Sequence, residues 1–140
     1  MDAEFFIDTN VFTYHLDSSD PSQHATAEGI VRVALTLGNG CISTQVVQGM
    51  FERRLAQGRG GADLKSARRY LEVVLAPLGY GRANEPLYHR ALDVQARWRF
   101  GFYDSLIAAS ALAAGCRTLL SEDLQHGQRL DELVVVNLFL

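Results

Sequence analysis

Lysine is almost missing from this chain: of thirteen basic side chains only Lys65 is a lysine, and the other twelve are arginines. Cysteine is nearly as scarce. Cys41 and Cys116 are too few for a disulfide framework and have no metal-ligand spacing, so they read as two small buried thiols of a reducing, cytoplasmic setting. Long apolar runs are absent too. None approaches the roughly 18 residues of a membrane span, which argues against a membrane protein. The opening Met1-Asp2-Ala3-Glu4 is acidic, the opposite of a secretory leader. No glycine-rich loop follows the first apolar segment, which argues against a dinucleotide-binding domain.

What is present is an ordinary globular composition. The chain has 140 residues, 48% of them hydrophobic and 21% charged, which fits one domain over residues 1–140 that buries its own core. The net charge of −3 argues against a general nucleic-acid binder, but the charges are unevenly spread. Residues 53–99 hold ten of the bases and only four acids, and the rest of the chain holds three bases and twelve acids. The arginine-rich third reads either as solvated helix faces or as an electropositive surface that steers a polyanion. Arginine's planar fork is well matched to phosphate.

Apolar segments alternate between two periods. Short runs at residues 4–8, 41–42, 118–120 and 133–136 read as buried strands, with a further candidate at 78–81. Between them lie helical spacings. Asp20-Pro21 starts one helix as N-cap and first helical residue, and Gly38 stops it. Ser43 or Thr44 caps the next, from Gln45 to about Ala56. Arg59-Gly60-Gly61-Ala62 reads as a loop, Asp63 to Leu75 as a helix, and Asn84 to Arg99 as another, with Leu87, Ala91, Val94 and Trp98 on one face. Residues 104–114 are helical and apolar nearly all round, hence buried. Such alternation predicts an α/β fold with a central parallel sheet between helical layers.

Three acids sit where such a fold places ligands. Asp8 follows the first strand, Asp123 follows the strand at 118–120, and Asp104 opens the buried helix. Ligands of an open parallel sheet bind at the carboxyl ends of its strands. Each acid also has a plain reading: Asp8 as an N-cap or turn residue, Asp123 as a turn residue and Asp104 as a helix N-cap. If they converge, their mutual repulsion is relieved by a hard divalent cation such as Mg²⁺ or Mn²⁺. Water on such a cation becomes a nucleophile at neutral pH. With arginines nearby, the natural electrophile is a phosphodiester.

Taken in order, four stretches resemble the PIN-domain ribonucleases of the VapC toxin type: Phe6-Ile7-Asp8-Thr9-Asn10-Val11, Ile42-Ser43-Thr44-Gln45-Val46-Val47-Gln48, Phe102-Tyr103-Asp104-Ser105-Leu106, and Leu120-Ser121-Glu122-Asp123-Leu124. The resemblance spans essentially the whole chain. It implies a three-layer α/β/α sandwich with a parallel sheet of four or five strands, and a Mg²⁺- or Mn²⁺-dependent endoribonuclease. It implies Asp8, Asp104 and Asp123 as metal-binding carboxylates, Glu122 as an outer ligand or substitute, and Thr9, Asn10 and Ser121 as supporting polar groups. It further implies an RNA substrate, a small antitoxin partner and a homodimer.

One position departs from the pattern. The family's second acid, a Glu in the helix after the second strand, is here Gly49. A mid-helix glycine costs roughly 1 kcal/mol relative to alanine, so its presence calls for a reason. Close approach of another backbone is one; loss of an active-site carboxylate, with attenuated cleavage, is the reading favoured here. Glu52 lies about one turn away, roughly 4.5 Å along the axis, too far for full replacement. The rival readings are a non-catalytic RNA- or partner-binding module and a phosphotransfer domain. The latter lacks its second aspartate beside Asp8 and a suitably placed lysine. The histidines His15, His24, His89 and His126 show no ligand spacing. The aromatic cluster Phe100, Phe102 and Tyr103 reads as packing beneath the buried helix or as a stacking surface for bases.

Overall fold

A computed structural model describes residues 3–56 and 62–140, without the side chains of residues 54–56, 62 and 63. The first strand, β1 (Phe5–Ile7), is followed by α1 (Thr9–Leu16) and α2 (Pro21–Leu37). Next come β2 (Gly40–Ser43), α3 (Thr44–Ala56) and α4 (Ala62–Tyr70). A π-helical turn at Leu71–Leu75 carries α4 into the short α5 (Ala76–Leu78), and β3 (Tyr80–Gly81) follows. The remaining elements are α6 (Glu85–Trp98), α7 (Phe102–Ala113), β4 (Thr118–Leu120), β5 (Arg129–Leu130) and β6 (Leu133–Val136).

The strands form one sheet in the order β3-β2-β1-β4-β6-β5. The first five in that order run parallel, within the expected four or five, and β5 adds an antiparallel edge. That edge strand, two residues long, leaves no period for the sequence to show. Alternation along β1 builds the layers. Ile7 faces α2, where it lines a groove with Ala34, whereas Phe6 faces the other side beside Ser110 of α7. Phe6 and Ile7 are fully buried, as are Leu119 and Val135.

Local chemistry explains the helix ends. Asp20 caps α2 by accepting from the backbone N–H groups of Ser22 and Gln23, and Gly38 ends it at φ 65°. Ser43 Oγ accepts from the Val46 N–H at the start of α3, and Asn84 caps α6 through the Leu87 N–H. Two boundaries differ from expectation. The helix from residue 62 does not stop at Leu75 but passes through the π-helical turn and takes in Pro77. The buried helix α7 starts at Phe102 behind Gly101, so Asp104 lies inside its first turn and is not its N-cap. The expected loop at Arg59–Ala62 falls largely outside the described residues.

The two cysteines meet. Cys41 on β2 and Cys116 ahead of β4 place their sulfurs 3.3 Å apart as free thiols. Their hydrogen bond holds the Cys41 thiol below its ordinary range, and the same bond, with burial, pushes Cys116 up. The histidines have structural partners: His15 meets the Tyr70 hydroxyl, His24 the Tyr14 carbonyl, His89 the Glu85 carboxylate, and His126 accepts from the Asn137 N–H.

Candidate active site

β1 lies between β2 and β4, and the chain leaves it toward β2 while β4 joins it from the other side. At such a reversal the loops part and leave a crevice at the carboxyl ends of the strands. Asp8 stands there. Its N–H still bonds the Leu120 carbonyl at 3.0 Å, extending the ladder, and its side chain caps α1 by accepting from the Thr9 N–H at 2.7 Å. The other carboxylate oxygen accepts from Ser121 Oγ at 2.7 Å, and Ser121 Oγ accepts in turn from the Asp123 N–H at 3.1 Å. Ser121 thus ties the tip of β1 to the turn after β4. The N-cap reading of Asp8 is what the structure shows, and that cap fixes the carboxylate.

Asp8 is 4% exposed. Burial pushes its carboxyl up to about 6, against the two hydrogen bonds that lower it, and repulsion from Asp123 and Asp104 adds to the rise. Asp104, half-buried in the first turn of α7, is also raised, by burial and then by Asp123. Asp123 is exposed. The three acids line one cleft of about 430 Å³ with Thr9, Asn10 and Arg53. Thr9 Oγ1 and both ends of the Asn10 amide are buried there without a hydrogen-bond partner, as is Ser105 Oγ beside Asp104. Buried polar groups are usually paired, and these unpaired ones lie close to the acids.

Two further acids lie elsewhere, Glu122 against expectation and Glu52 in line with it. Glu122 does not line the cleft; its carboxylate accepts from the Tyr14 hydroxyl. The chain bends after Ser121, where Ser121 Oγ accepts from the Asp123 N–H, and it is Asp123 that lines the cleft. Glu52 is exposed and also off the cleft. Gly49 does line it.

Two lining residues were not expected. Arg53 is a single member of the arginine-rich third, and nothing local marks it out from the rest. Tyr103, read from the sequence as packing or as a stacking surface, is 52% exposed and lines the cleft, and Phe102 is 41% exposed. Phe100 alone of the three packs partly buried against the core. A helix that begins at Phe102 turns that residue and Tyr103 outward, which explains the difference.

The donor set is all oxygen and carries excess negative charge, which suits a hard divalent cation. Among the described residues no three His, Cys, Asp or Glu side chains come close enough to hold an ion by themselves. That arrangement still fits an ion of the Mg²⁺ kind, which keeps several waters and takes one or two carboxylates.

A model of the PIN domain matches residues 5–131. No curated protein sequence matches the chain. Among solved structures, VapBC2 from Rickettsia felis, bound to a DNA fragment from its promoter, is 15% identical with a TM-score of 0.66, over 94% of this chain and 96% of that one. FitAcB from Neisseria gonorrhoeae is 19% identical with a TM-score of 0.62, over 95% and 96%. VapC20 from Mycobacterium tuberculosis, a toxin that cleaves the sarcin–ricin loop, is 17% identical with a TM-score of 0.62, over 86% and 92%. At these identities the likeness is one of fold.

Proposed function

The chain belongs to the PIN-domain family, and from that premise we propose that it is a toxin-type endoribonuclease that hydrolyses RNA phosphodiesters with Mg²⁺ or Mn²⁺. The observation that carries this reading is the convergence of Asp8, Asp104 and Asp123 on one cleft from three distant segments. Asp8 and Asp104 would hold the cation, with Asp123 at the rim. A cation bound there supplies an activated water and offsets the charge of the phosphate. Ser121 and the Thr9 N–H hold the Asp8 carboxylate in place. Arg53 offers the cleft a cation for an RNA phosphate.

Cleavage by this chain is attenuated in this reading, because α3 contributes Gly49 where the family pattern has a carboxylate. An antitoxin partner is supported by the toxin-type resemblance and by the VapBC and FitAcB relatives. A homodimer follows from the resemblance alone. Among the described residues no helix is long and apolar enough to cross a membrane, and a cytoplasmic setting is part of the proposal. The second reading, a non-catalytic RNA- or partner-binding module, is favoured by the same glycine.

The test compares RNA cleavage by the unaltered chain, Gly49→Glu, and Gly49→Glu with Asp8→Asn, with Mg²⁺, with Mn²⁺ and with a chelator. Metal-dependent cleavage that rises on Gly49→Glu and is lost with Asp8→Asn is the expected result. Equal activity of the first two proteins removes the attenuation. No metal-dependent cleavage by either leaves the binding module.

A further inference from the structure

Gly49 and Tyr103 are complementary. A Cβ at position 49 would stand 2.7 Å from the Tyr103 hydroxyl and 3.5 Å from both Thr9 Cγ2 and Thr9 Oγ1. Any residue but glycine would have to displace the tyrosine. The hydroxyl therefore occupies the space where a side chain from α3 would begin. Its placement is supported from behind, since Gln45 Nε2, one helical turn before Gly49, donates to the Tyr103 carbonyl at 3.1 Å. That bond ties the start of α7 to α3.

We propose that the Tyr103 hydroxyl is the polar group with which this chain fills the vacated carboxylate position, and that it donates a hydrogen bond to a phosphate oxygen of bound RNA. The inference rests on the RNA reading above and adds a substrate contact to it. Tyr103 lines the cleft beside the three acids and Arg53. Burial is not what holds the ring there, since it is half-exposed. Thr9 Oγ1, which the same Cβ would meet, is buried and unpaired. A carboxylate only accepts hydrogen bonds, whereas a phenol donates one without adding charge. In a cleft already carrying three acids, a neutral donor favours an anionic phosphodiester where a fourth carboxylate would repel it. The exchange of Glu for the Gly49–Tyr103 pair thus trades a metal ligand for a phosphate contact.

The test uses a short fluorescein-labelled single-stranded RNA of mixed sequence, with binding followed by anisotropy in chelator and cleavage measured separately with Mn²⁺. Tyr103→Phe keeps the ring and loses the hydroxyl; Gly49→Ala keeps the hydroxyl and pushes it aside. Each is expected to weaken binding about tenfold, as for loss of a hydrogen bond to a charged group. The double variant is expected to be no weaker than either single one, since both remove the same contact. Melting midpoints of the variants are compared to confirm that they fold. Unchanged binding by Tyr103→Phe, losses that add in the double variant, or no RNA binding by the unaltered chain would overturn the inference. Absence of Mn²⁺-dependent cleavage alongside a Tyr103-dependent affinity overturns the nuclease reading instead and leaves this contact standing.

Discussion

At the scale of the residue, Asp8 is ionised at a cost that depends on pH. Its carboxyl is raised from 3.8 to about 6 in the folded chain, so the folded state binds that proton more tightly than the unfolded one. The stability this contributes is fully present below about pH 4 and is lost as pH rises through about 6. At roughly 1.4 kcal/mol per pKa unit, the swing is on the order of 3 kcal/mol. Urea midpoints measured from pH 4 to 7 in chelator should fall over that window, and Asp8→Asn should flatten the curve. Ser121→Ala removes a hydrogen bond that lowers the Asp8 pKa. It should cost about 1–3 kcal/mol at neutral pH and move the Asp8 titration upward, as read by carboxyl NMR. That Asp8 and Asp123 share a cleft was legible because each follows a recognisable strand, and Asp104 joins them from the first turn of a strongly apolar helix. Tyr103 and Arg53 were not legible, because their place depends on how α7 meets α3, and the residues joined there, Gln45 and Tyr103, lie 58 positions apart.

At the scale of the element, the point where Gly40 meets α2 has no spare room. A Cβ at Gly40, the first residue of β2, would stand 2.6 Å from Ala34 Cβ and 3.2 Å from Ile7 Cδ1. Gly40→Ala should therefore destabilise the fold by about 1–3 kcal/mol, as overpacking does, with the loss visible as a lower denaturant midpoint at an unchanged slope. A midpoint equal to that of the unaltered chain would show that α2 moves away freely. The helices and the long strands were readable from period and caps, as Asp20, Gly38 and Asn84 demonstrate. The π-helical turn at Leu71–Leu75 was not. Its residues have ordinary helical chemistry, and the wider turn lets the helix continue past Pro77.

At the scale of the whole molecule, the fold holds two distant segments within bonding reach. The Cys41 and Cys116 sulfurs, 3.3 Å apart, need to close by roughly 1.3 Å to form a disulfide. Glutathione disulfide, taking up the two electrons and two protons, should convert them to an intramolecular bridge. The intact mass should fall by about two units, with loss of both thiols, and Cys41→Ala should prevent it. By the chain-entropy account, closing so long a loop raises stability by up to about 4 kcal/mol. A mass unchanged by the oxidant would show that the strands hold the sulfurs apart. The sequence offered only two cysteines with no ligand spacing, because their meeting depends on the parallel order of strands. The same order has a consequence at its margins. The sheet ends on β3 at one side and on β5 at the other, and each is two residues long. Such margins leave too little open backbone for a foreign strand to zip onto. Among the described residues, recognition by side chains on helix faces and in clefts is therefore favoured over strand addition, and sheet extension has only a short template.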